Sequence, residues 1–182
     1  MSLIVEKTSI EDLLLIKPNV FEDPRGYFFE LFNSDEYKKA GLKFNFVQDN
    51  ISKSQKGTVR GLHFQVGDFS QGKLCQVIIG SVLDVAVDIR PDSKTFGKHY
   101  SIELSSENYY QLWLPPGFAH GFSVLSNEAV FMYKCTNFYN QKYERAISYN
   151  DKDLSINWKV KTPIVSEKDK LAPTFKDYFN NL

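Results

Sequence analysis

Residues 83–90 read LDVAVDIR, a run in which a leucine or β-branched side chain recurs at every second position. This period of two is typical of a β-strand whose two faces meet different surroundings. The alternate positions carry Asp84 and Asp88, which therefore share one face. Their expected role is hydrogen bonding at that face, and the alternative is a role near His63. The stretch therefore predicts a protein built on β-sheets.

Other apolar runs on either side extend the prediction. Residues 74–79 precede the first strand, with only Gly80 and Ser81 between them, which is typical of a tight hairpin turn. Residues 100–104 and 111–114 are predicted strands on either side of the polar turn cluster SSEN. Residues 129–139 are long, aromatic and free of Gly and Pro, so they predict a further strand.

Helix signals are few. The clearest covers residues 34–39, where Ser34 is the expected N-cap, acidic residues follow it, two lysines end the segment and Gly41 stops it. A second short helix is predicted around residues 174–179. Short strands at close spacing predict an all-β sandwich or barrel with a few short helices, formed by residues 1–182 as one domain.

Composition narrows the class of protein. Hydrophobic residues make up 42% and aromatic residues 15% of the 182 positions, enough for a core and an aromatic-lined pocket. Lys plus Arg equals Asp plus Glu at 22 each, which argues against a general nucleic-acid binder. Two cysteines, no signal-peptide pattern and no long apolar run indicate a cytoplasmic protein with no membrane anchor.

A partial metal-binding pattern stands at residues 115–120, which read PPGFAH. This P-x-G-x-x-H string resembles half of the metal site of the cupins, which are small β-barrels. The other half requires His-x-His followed by Glu, and here it reads His63-Phe64-Gln65 with Lys73 downstream. A lysine ammonium repels a metal cation, and the whole chain has only three histidines. The sequence therefore predicts a cupin-like barrel without a metal.

Three residues in these motifs suit proton chemistry that needs no metal. His63 can act as a base near neutral pH. A buried Lys73 can stabilise an oxyanion, and Tyr133 shares the parity of Phe131 and can give a proton from the other side. Together they suit enolisation beside a ketone followed by inversion at carbon.

Nine strings occur in order along the chain: FEDPRGYFFELF at 21–32, FVQDNISKS at 46–54, RGLHFQ at 60–65, QGKL at 71–74, DVAVDIR at 84–90, LPPGFAHGF at 114–122, YKCTNFY at 133–139, YNDKDLSINW at 149–158 and SEKD at 166–169. On these strings the chain resembles the dTDP-4-dehydrorhamnose 3,5-epimerase family over residues 21–169.

The resemblance implies a cupin-type jelly roll, a homodimer, no cofactor, and inversion of carbons 3 and 5 of dTDP-4-dehydro-6-deoxy-D-glucose. It implies that His63 is the base, Asp169 its carboxylate partner, Lys73 the enolate stabiliser and Tyr133 the acid. The substrate contacts that it implies are Arg25, Phe28, Glu30, Gln48, Asn50, Arg60, His120 and Tyr139. One departure is Cys75, which stands where an aliphatic residue is common and which we expect to be a small core residue.

Arg60 and His63 have opposite parity on a regular strand, so they should point to opposite faces. A bulge at Gly61 would bring them together; otherwise Arg60 reaches round from an edge or serves a neighbouring subunit. The alternatives to a 3,5-epimerase are an epimerase of carbon 3 or carbon 5 alone, a non-catalytic cupin-like binding protein, and a metal-dependent cupin oxygenase. Asp169 also has a competing role as a solvated residue in the charge run of residues 167–170.

Overall fold

The computed structural model describes residues 3–180, which form thirteen strands and three short α-helices. The strands are β1 (Ile4–Lys7), β2 (Leu14–Lys17), β3 (Phe21–Asp23), β4 (Gly26–Phe28), β5 (Gln48–Gln55), β6 (Val59–Gln65), β7 (Lys73–Ile79), β8 (Ser81–Asp88), β9 (His99–Ser105), β10 (Gln111–Leu114), β11 (Phe118–Val124), β12 (Glu128–Cys135) and β13 (Glu144–Ala146). The helices are α1 (Ser34–Lys39), α2 (Glu167–Lys170) and α3 (Phe175–Asn180).

Two antiparallel sheets make up most of the fold. One has six strands in the order β1-β2-β10-β7-β12-β5, and the other has five in the order β13-β6-β11-β8-β9. Strands β3 and β4 form a separate hairpin. The main apolar cluster takes buried side chains from both sheets, among them Val77, Leu112 and Phe131 from the first and Ala86 and Phe122 from the second. The sheets therefore pack face to face, and the predicted all-β jelly-roll class is confirmed.

The five-stranded sheet is covered on its outer face as well. Leu83, Val85 and Val87 of β8 pack there in a second cluster with Leu154 and Trp158 of the C-terminal segment. Because both faces are covered, seven of the eight residues of β8 are buried. The alternation at residues 83–89 therefore separates two buried environments: the larger aliphatic residues lie on the outer face, and Ala86 with the two aspartates lies on the inner one.

The predicted hairpin at Gly80 and Ser81 is wrong. Strand β7 pairs with β10 and β12 in the six-stranded sheet, whereas β8 pairs with β9 and β11 in the five-stranded sheet. The chain thus crosses from one sheet to the other at Gly80, which has a φ of +79°. A Cβ at this position would collide with the carbonyl oxygen of Glu128, so the crossing needs a glycine.

The predicted positions of the two helices are confirmed, but the predicted N-cap residue of the first helix is wrong. Helix α1 covers residues 34–39 as predicted, and α3 lies one residue beyond the predicted 174–179. The N-cap of α1 is Asn33 instead of Ser34, because the Asn33 side chain accepts hydrogen bonds from the backbone N–H groups of Asp35 and Glu36. No helix in residues 3–180 is long and apolar enough to cross a membrane.

The last predicted strand ends earlier than expected. Strand β12 stops at Cys135, four residues before the predicted end at 139. After Cys135 the backbone makes hydrogen bonds to the loop that precedes β7. The N–H of Thr136 donates to the carbonyl of Gly72, and the Thr136 hydroxyl accepts from the N–H of Gly72. Tyr139 therefore lies in a loop beside the sheets, not in a strand.

Candidate active site

A cavity of about 360 Å³ opens between the two sheets. Strands β5, β7 and β12 of the six-stranded sheet line it on one side, and β6 and β11 of the five-stranded sheet line it on the other. Eight of the twelve residues that the sequence predicts for the site line this cavity: Gln48, Asn50, Arg60, His63, Lys73, His120, Tyr133 and Tyr139.

The two sheets contribute different chemistry to the cavity. His63 and His120 are directly opposite each other in the β6–β11 pair, so both imidazoles belong to the five-stranded side. Lys73 and Tyr133 belong to the six-stranded side, where Tyr133 is paired with Cys75 two residues along β7 from Lys73. The cavity therefore places two histidines on one wall and an ammonium with a phenol on the other.

His63 has a buried carboxylate behind it. Its Nε2 lies 2.6 Å from Oδ1 of Asp169, which is 2% exposed. The second oxygen, Oδ2, accepts from the N–H of Gly61 at 3.3 Å. Burial acts to raise the pKa of Asp169, but the hydrogen bonds with His63 and Gly61 hold it below its ordinary value. Asp169 is therefore ionised at neutral pH and fixes Nε2 as the protonated ring nitrogen.

Helix α2 holds Asp169 in that position. The hydroxyl of Ser166, the N-cap, accepts from the N–H of Asp169 at 3.2 Å. This cap stabilises the first turn of α2, and the hydrogen bond from the N–H of Gly61 ties Asp169 to β6. Of the alternatives for Asp169, the structure thus places it against His63 and not on a solvated face.

Arg60 reaches the same cavity as His63 because β6 is irregular between them. In the pairing of β6 with β11, His63 is opposite His120 and Arg60 is opposite Phe122. An interval of three residues on β6 therefore matches an interval of two residues on β11. Of the alternatives for Arg60, an irregularity of β6 at Gly61 is therefore the one that the structure has. Gly61 has a φ of +136°, and a Cβ on it would lie 2.5 Å from the Cα of Gly121, so neither strand tolerates a side chain at this crossing.

The phenol of Tyr133 stays protonated over the whole physiological range. Burial raises its pKa to about 12. The ammonium of Lys73 lies 5.7 Å from the centre of the Tyr133 ring. A protonated acid and a fixed positive charge are thus neighbours on the wall that faces His63.

His120 has its own carboxylate, and Cys75 lies beside the pair. The Nε2 of His120 is 2.7 Å from Oδ1 of Asp84 and 3.8 Å from the Sγ of Cys75. These three buried side chains are the one set within residues 3–180 whose donor atoms, all within 4.8 Å, could hold a metal ion. The set does not include His63. That the site works without a metal stays a prediction.

Arg25, Phe28 and Glu30 lie outside this cavity. Arg25 donates to Asp23 within the β3–β4 hairpin, and 89% of its side chain is exposed. Phe28 is 62% exposed, and Glu30 accepts a hydrogen bond from the side chain of Asn33. The fold of one chain therefore does not bring these three predicted contacts to the site.

Glu144 lines the cavity although no sequence motif indicated it. It is the first residue of β13, which pairs with β6 so that Glu144 is opposite Gln65 and Ala146 is opposite His63. Burial acts to raise its pKa, but hydrogen bonds from Lys168 and Tyr139 hold the pKa below its ordinary value. A strand of three residues leaves no periodic signal, so only the pairing with β6 reveals this carboxylate.

Gln65 occupies the position at which a cupin has its second metal-binding histidine, and here its side chain makes structural hydrogen bonds. Its side chain donates to the carbonyls of Phe69 and Phe138 and accepts from the N–H of Asn140. Gln48 similarly accepts from the N–H of Tyr139. These amides fix the loop that presents Tyr139, so the position has a structural use here.

The family model for dTDP-4-dehydrorhamnose 3,5-epimerase matches residues 7–177. The chain belongs to the dTDP-4-dehydrorhamnose 3,5-epimerase family. A relative with this function from Shigella flexneri is 52% identical over 178 residues, which are 96% of this chain and 98% of the relative. The predicted family and the predicted enzyme class, an isomerase, are confirmed.

Solved structures of this family share the fold closely. The dTDP-4-dehydrorhamnose 3,5-epimerase of Elizabethkingia anophelis is 53% identical with a TM-score of 0.92, over 97% of this chain and 98% of that one. The dTDP-6-deoxy-D-glucose-3,5-epimerase of Legionella pneumophila, in complex with dTDP-4-keto-L-rhamnose, is 45% identical with a TM-score of 0.92, over 96% of this chain and 93% of that one.

Proposed function

We propose that this family member inverts carbons 3 and 5 of dTDP-4-dehydro-6-deoxy-D-glucose to give dTDP-4-dehydro-L-rhamnose, through enolates and without a cofactor. The observation that carries the proposal is the division of the cavity. The His63–Asp169 pair lies on one wall, and Tyr133 with Lys73 lies on the other. A keto sugar between the walls meets a base on one face and an acid on the opposite face.

His63 removes the proton. Because Nε2 is held by Asp169, Nδ1 is the ring nitrogen with a free lone pair for the carbon acid. Carbons 3 and 5 both flank the ketone at carbon 4, so the electron pair of either C–H bond passes into the same carbonyl. The ketone oxygen becomes an enolate oxygen, and the negative Asp169 stabilises the imidazolium that forms.

Lys73 stabilises the enolate. Its ammonium is a positive charge inside a cavity between the two sheets, where a charge acts more strongly than in bulk solvent. Charge develops on the ketone oxygen only as the proton leaves. The interaction therefore strengthens towards the transition state, which is the condition for an effect on kcat.

Tyr133 completes the inversion. A phenol with a pKa of about 12 holds its proton until an enolate carbon, a stronger base, takes it. The proton arrives from the six-stranded side while the original proton left on the five-stranded side, so the configuration at carbon inverts. The phenolate regains a proton and the imidazolium of His63 loses one, which restores the enzyme before the second carbon reacts.

The nucleotide binds at the open end of the cavity. Arg60 offers a guanidinium, whose planar donors suit the diphosphate, and Tyr139, 51% exposed, offers a ring on which the thymine stacks. Gln48, Asn50 and His120 supply polar contacts to the sugar and the base. Glu144 is suited to a sugar hydroxyl, because its pKa below the ordinary value keeps it an acceptor.

The enzyme acts as a homodimer in this proposal. Within residues 3–180 the β3–β4 hairpin pairs only with itself, and an isolated two-stranded hairpin is marginally stable in water. It nevertheless exposes Phe21, Tyr27 and Phe28, a patch that favours burial against another chain. We place the hairpin over the partner's cavity, where Arg25 and Phe28 reach the diphosphate and thymine and Glu30 reaches the base edge.

Incubation with dTDP-4-dehydro-6-deoxy-D-glucose in deuterated water, followed by proton NMR, tests the proposal. The expected product is dTDP-4-dehydro-L-rhamnose carrying deuterium at carbons 3 and 5. Deuterium at one carbon alone would instead assign a single-carbon epimerase, and no exchange at either carbon would contradict the proposed reaction.

A further inference from the structure

Asp84 is a buried carboxylate that the mechanism above does not use. It lies on β8 with no exposed surface. Its Oδ1 is 2.7 Å from Nε2 of His120, while its Oδ2 has no hydrogen-bond partner within the described part of the chain. Burying a carboxylate oxygen without a partner is unfavourable, and proteins rarely retain such a group without a use for it.

Asp88 provides a matched comparison on the same strand. It stands four residues further along β8, on the same face and equally buried. Its two oxygens accept from the backbone and side chain of Arg90 and from the hydroxyls of Ser93 and Thr95. Those bonds tie a loop to the sheet and offset the burial of Asp88. Asp84 ties no loop, and its one partner is a histidine of the active-site cavity.

That histidine has one ring nitrogen committed to Asp84. His120 is 6% exposed, lines the cavity and stacks on Phe131 at 5.9 Å between ring centres. With Nε2 facing Asp84, Nδ1 is the nitrogen that remains for a ligand. A hydrogen bond at one ring nitrogen sets the protonation of the other and the orientation of the ring.

We propose that Asp84 is a positioning residue for the epimerase: it keeps a proton on Nε2 of His120 and fixes the ring so that Nδ1 is presented to a sugar oxygen. The inference rests on the proposed function, in which His120 contacts the substrate. It gives the five-stranded wall two His–Asp pairs with separate tasks. Asp169 prepares His63 for proton removal, and Asp84 prepares His120 for holding the sugar.

The other groups around His120 leave the Nε2 proton to Asp84. Cys75 approaches from β7, and burial raises the pKa of its thiol well above the ordinary value, so it is a neutral and weak acceptor. His63 flanks His120 from β6. Lys73 and Tyr133 lie on the other wall of the cavity, and the Lys73 ammonium has no lone pair to accept that proton.

Kinetics of Asp84→Asn give the first test. This change keeps the size of the side chain but removes the carboxylate that fixes the proton, so we expect kcat/KM to fall roughly tenfold or more. Asp88→Asn makes the same chemical change on the same strand and should lower the melting temperature while leaving kcat/KM near wild type. Cys75→Val, in contact with the same ring, should also leave kcat/KM near wild type.

A double-mutant cycle separates positioning from a general structural effect. In a His120→Gln background, Asp84→Asn should cause no further loss of kcat/KM, because its effect passes through His120. Losses that multiply would overturn the inference. So would a wild-type kcat/KM in a folded Asp84→Asn protein.

NMR of the unaltered protein decides the arrangement even if Asp84→Asn does not fold. The chain has three histidines, so His63→Gln and His99→Gln spectra assign the ¹⁵N ring signals of His120. We expect a proton on Nε2; a ring protonated on Nδ1 alone overturns the inference. This measurement needs no substrate, so a protein that fails to epimerise the dTDP sugar but shows the Nε2 proton would contradict the proposed function and not the Asp84–His120 arrangement.

Discussion

Nε2 of His63 lies 2.6 Å from Oδ1 of Asp169, although the two residues are 106 positions apart in the chain. Strand β6 supplies the imidazole, and the four-residue helix α2 supplies the carboxylate. The contact orients the base of the proposed reaction, and it depends on the C-terminal segment folding back over the five-stranded sheet.

Asp169→Asn should lower kcat/KM by roughly a hundredfold or more, because an amide neither fixes the ring tautomer nor stabilises the imidazolium. Steady-state kinetics measure the loss. Glu167→Gln is the matched control, since Glu167 lies in the same helix with 82% of its side chain exposed. An equal loss in both variants would show that the integrity of α2 matters and not the carboxylate of Asp169.

Tyr133→Phe should separate proton removal from inversion. The base on the opposite wall is unchanged, so deuterium exchange continues, but the acid is missing and formation of the L-sugar should slow by about 10² or more. Proton NMR in deuterated water reports both rates in one sample. A wild-type rate of L-sugar formation would remove Tyr133 from the proposed role.

Gly61→Ala should damage both stability and activity. A methyl group there meets the Cα of Gly121 at 2.5 Å and requires an alanine at a φ of +136°, which should cost about 1–3 kcal/mol of unfolding free energy. Gly41→Ala is the control, with a φ of +84° but nothing within 4 Å of the added Cβ. Thermal unfolding and kcat/KM are measured for both variants. Gly41→Ala reports backbone strain alone, whereas Gly61→Ala reports strain together with the collision. Equal losses of stability and activity in the two variants would contradict a special role for the bulge.

Mixed dimers test the placement of the hairpin. If Arg25 serves the partner's cavity, a heterodimer of His63→Ala and Arg25→Ala subunits contains one site with both changes and one site with neither. Where each change alone abolishes activity, mixing the two proteins should therefore restore about a quarter of wild-type activity after random exchange of subunits. If Arg25 serves its own cavity, every site keeps one change and no activity returns.

Parts of the fold follow directly from local patterns. The alternation of residues 83–89 identifies β8, and the charges of residues 34–39 identify α1. The crossing at Gly80 does not follow, because β7 and β8 find their partners in different sheets through contacts with strands far along the chain. Two strand-like runs joined by Gly-Ser have the same local sequence pattern whether the strands pair with each other or belong to different sheets.

The residues of the site likewise divide into those that sequence motifs identify and those that only the fold brings together. Motifs identify His63, Lys73 and Tyr133 because the sequences that flank these residues on β6, β7 and β12 are distinctive. Glu144 and Asp84 could not be assigned a role at the site from sequence, since their surroundings depend on strand pairing between β13 and β6 and between β8 and β11. Arg25, Phe28 and Glu30 were predicted as contacts, yet a single chain keeps them outside the cavity.

The central claim is that His63 removes the protons at both carbons, and solvent exchange in a His63→Ala protein tests it most directly. The control is His99→Ala, which changes a histidine on β9 that does not line the cavity. We predict that wild type and His99→Ala incorporate deuterium at carbons 3 and 5, and that His63→Ala incorporates none at either carbon. Exchange at both carbons at the wild-type rate in folded His63→Ala protein would contradict the account.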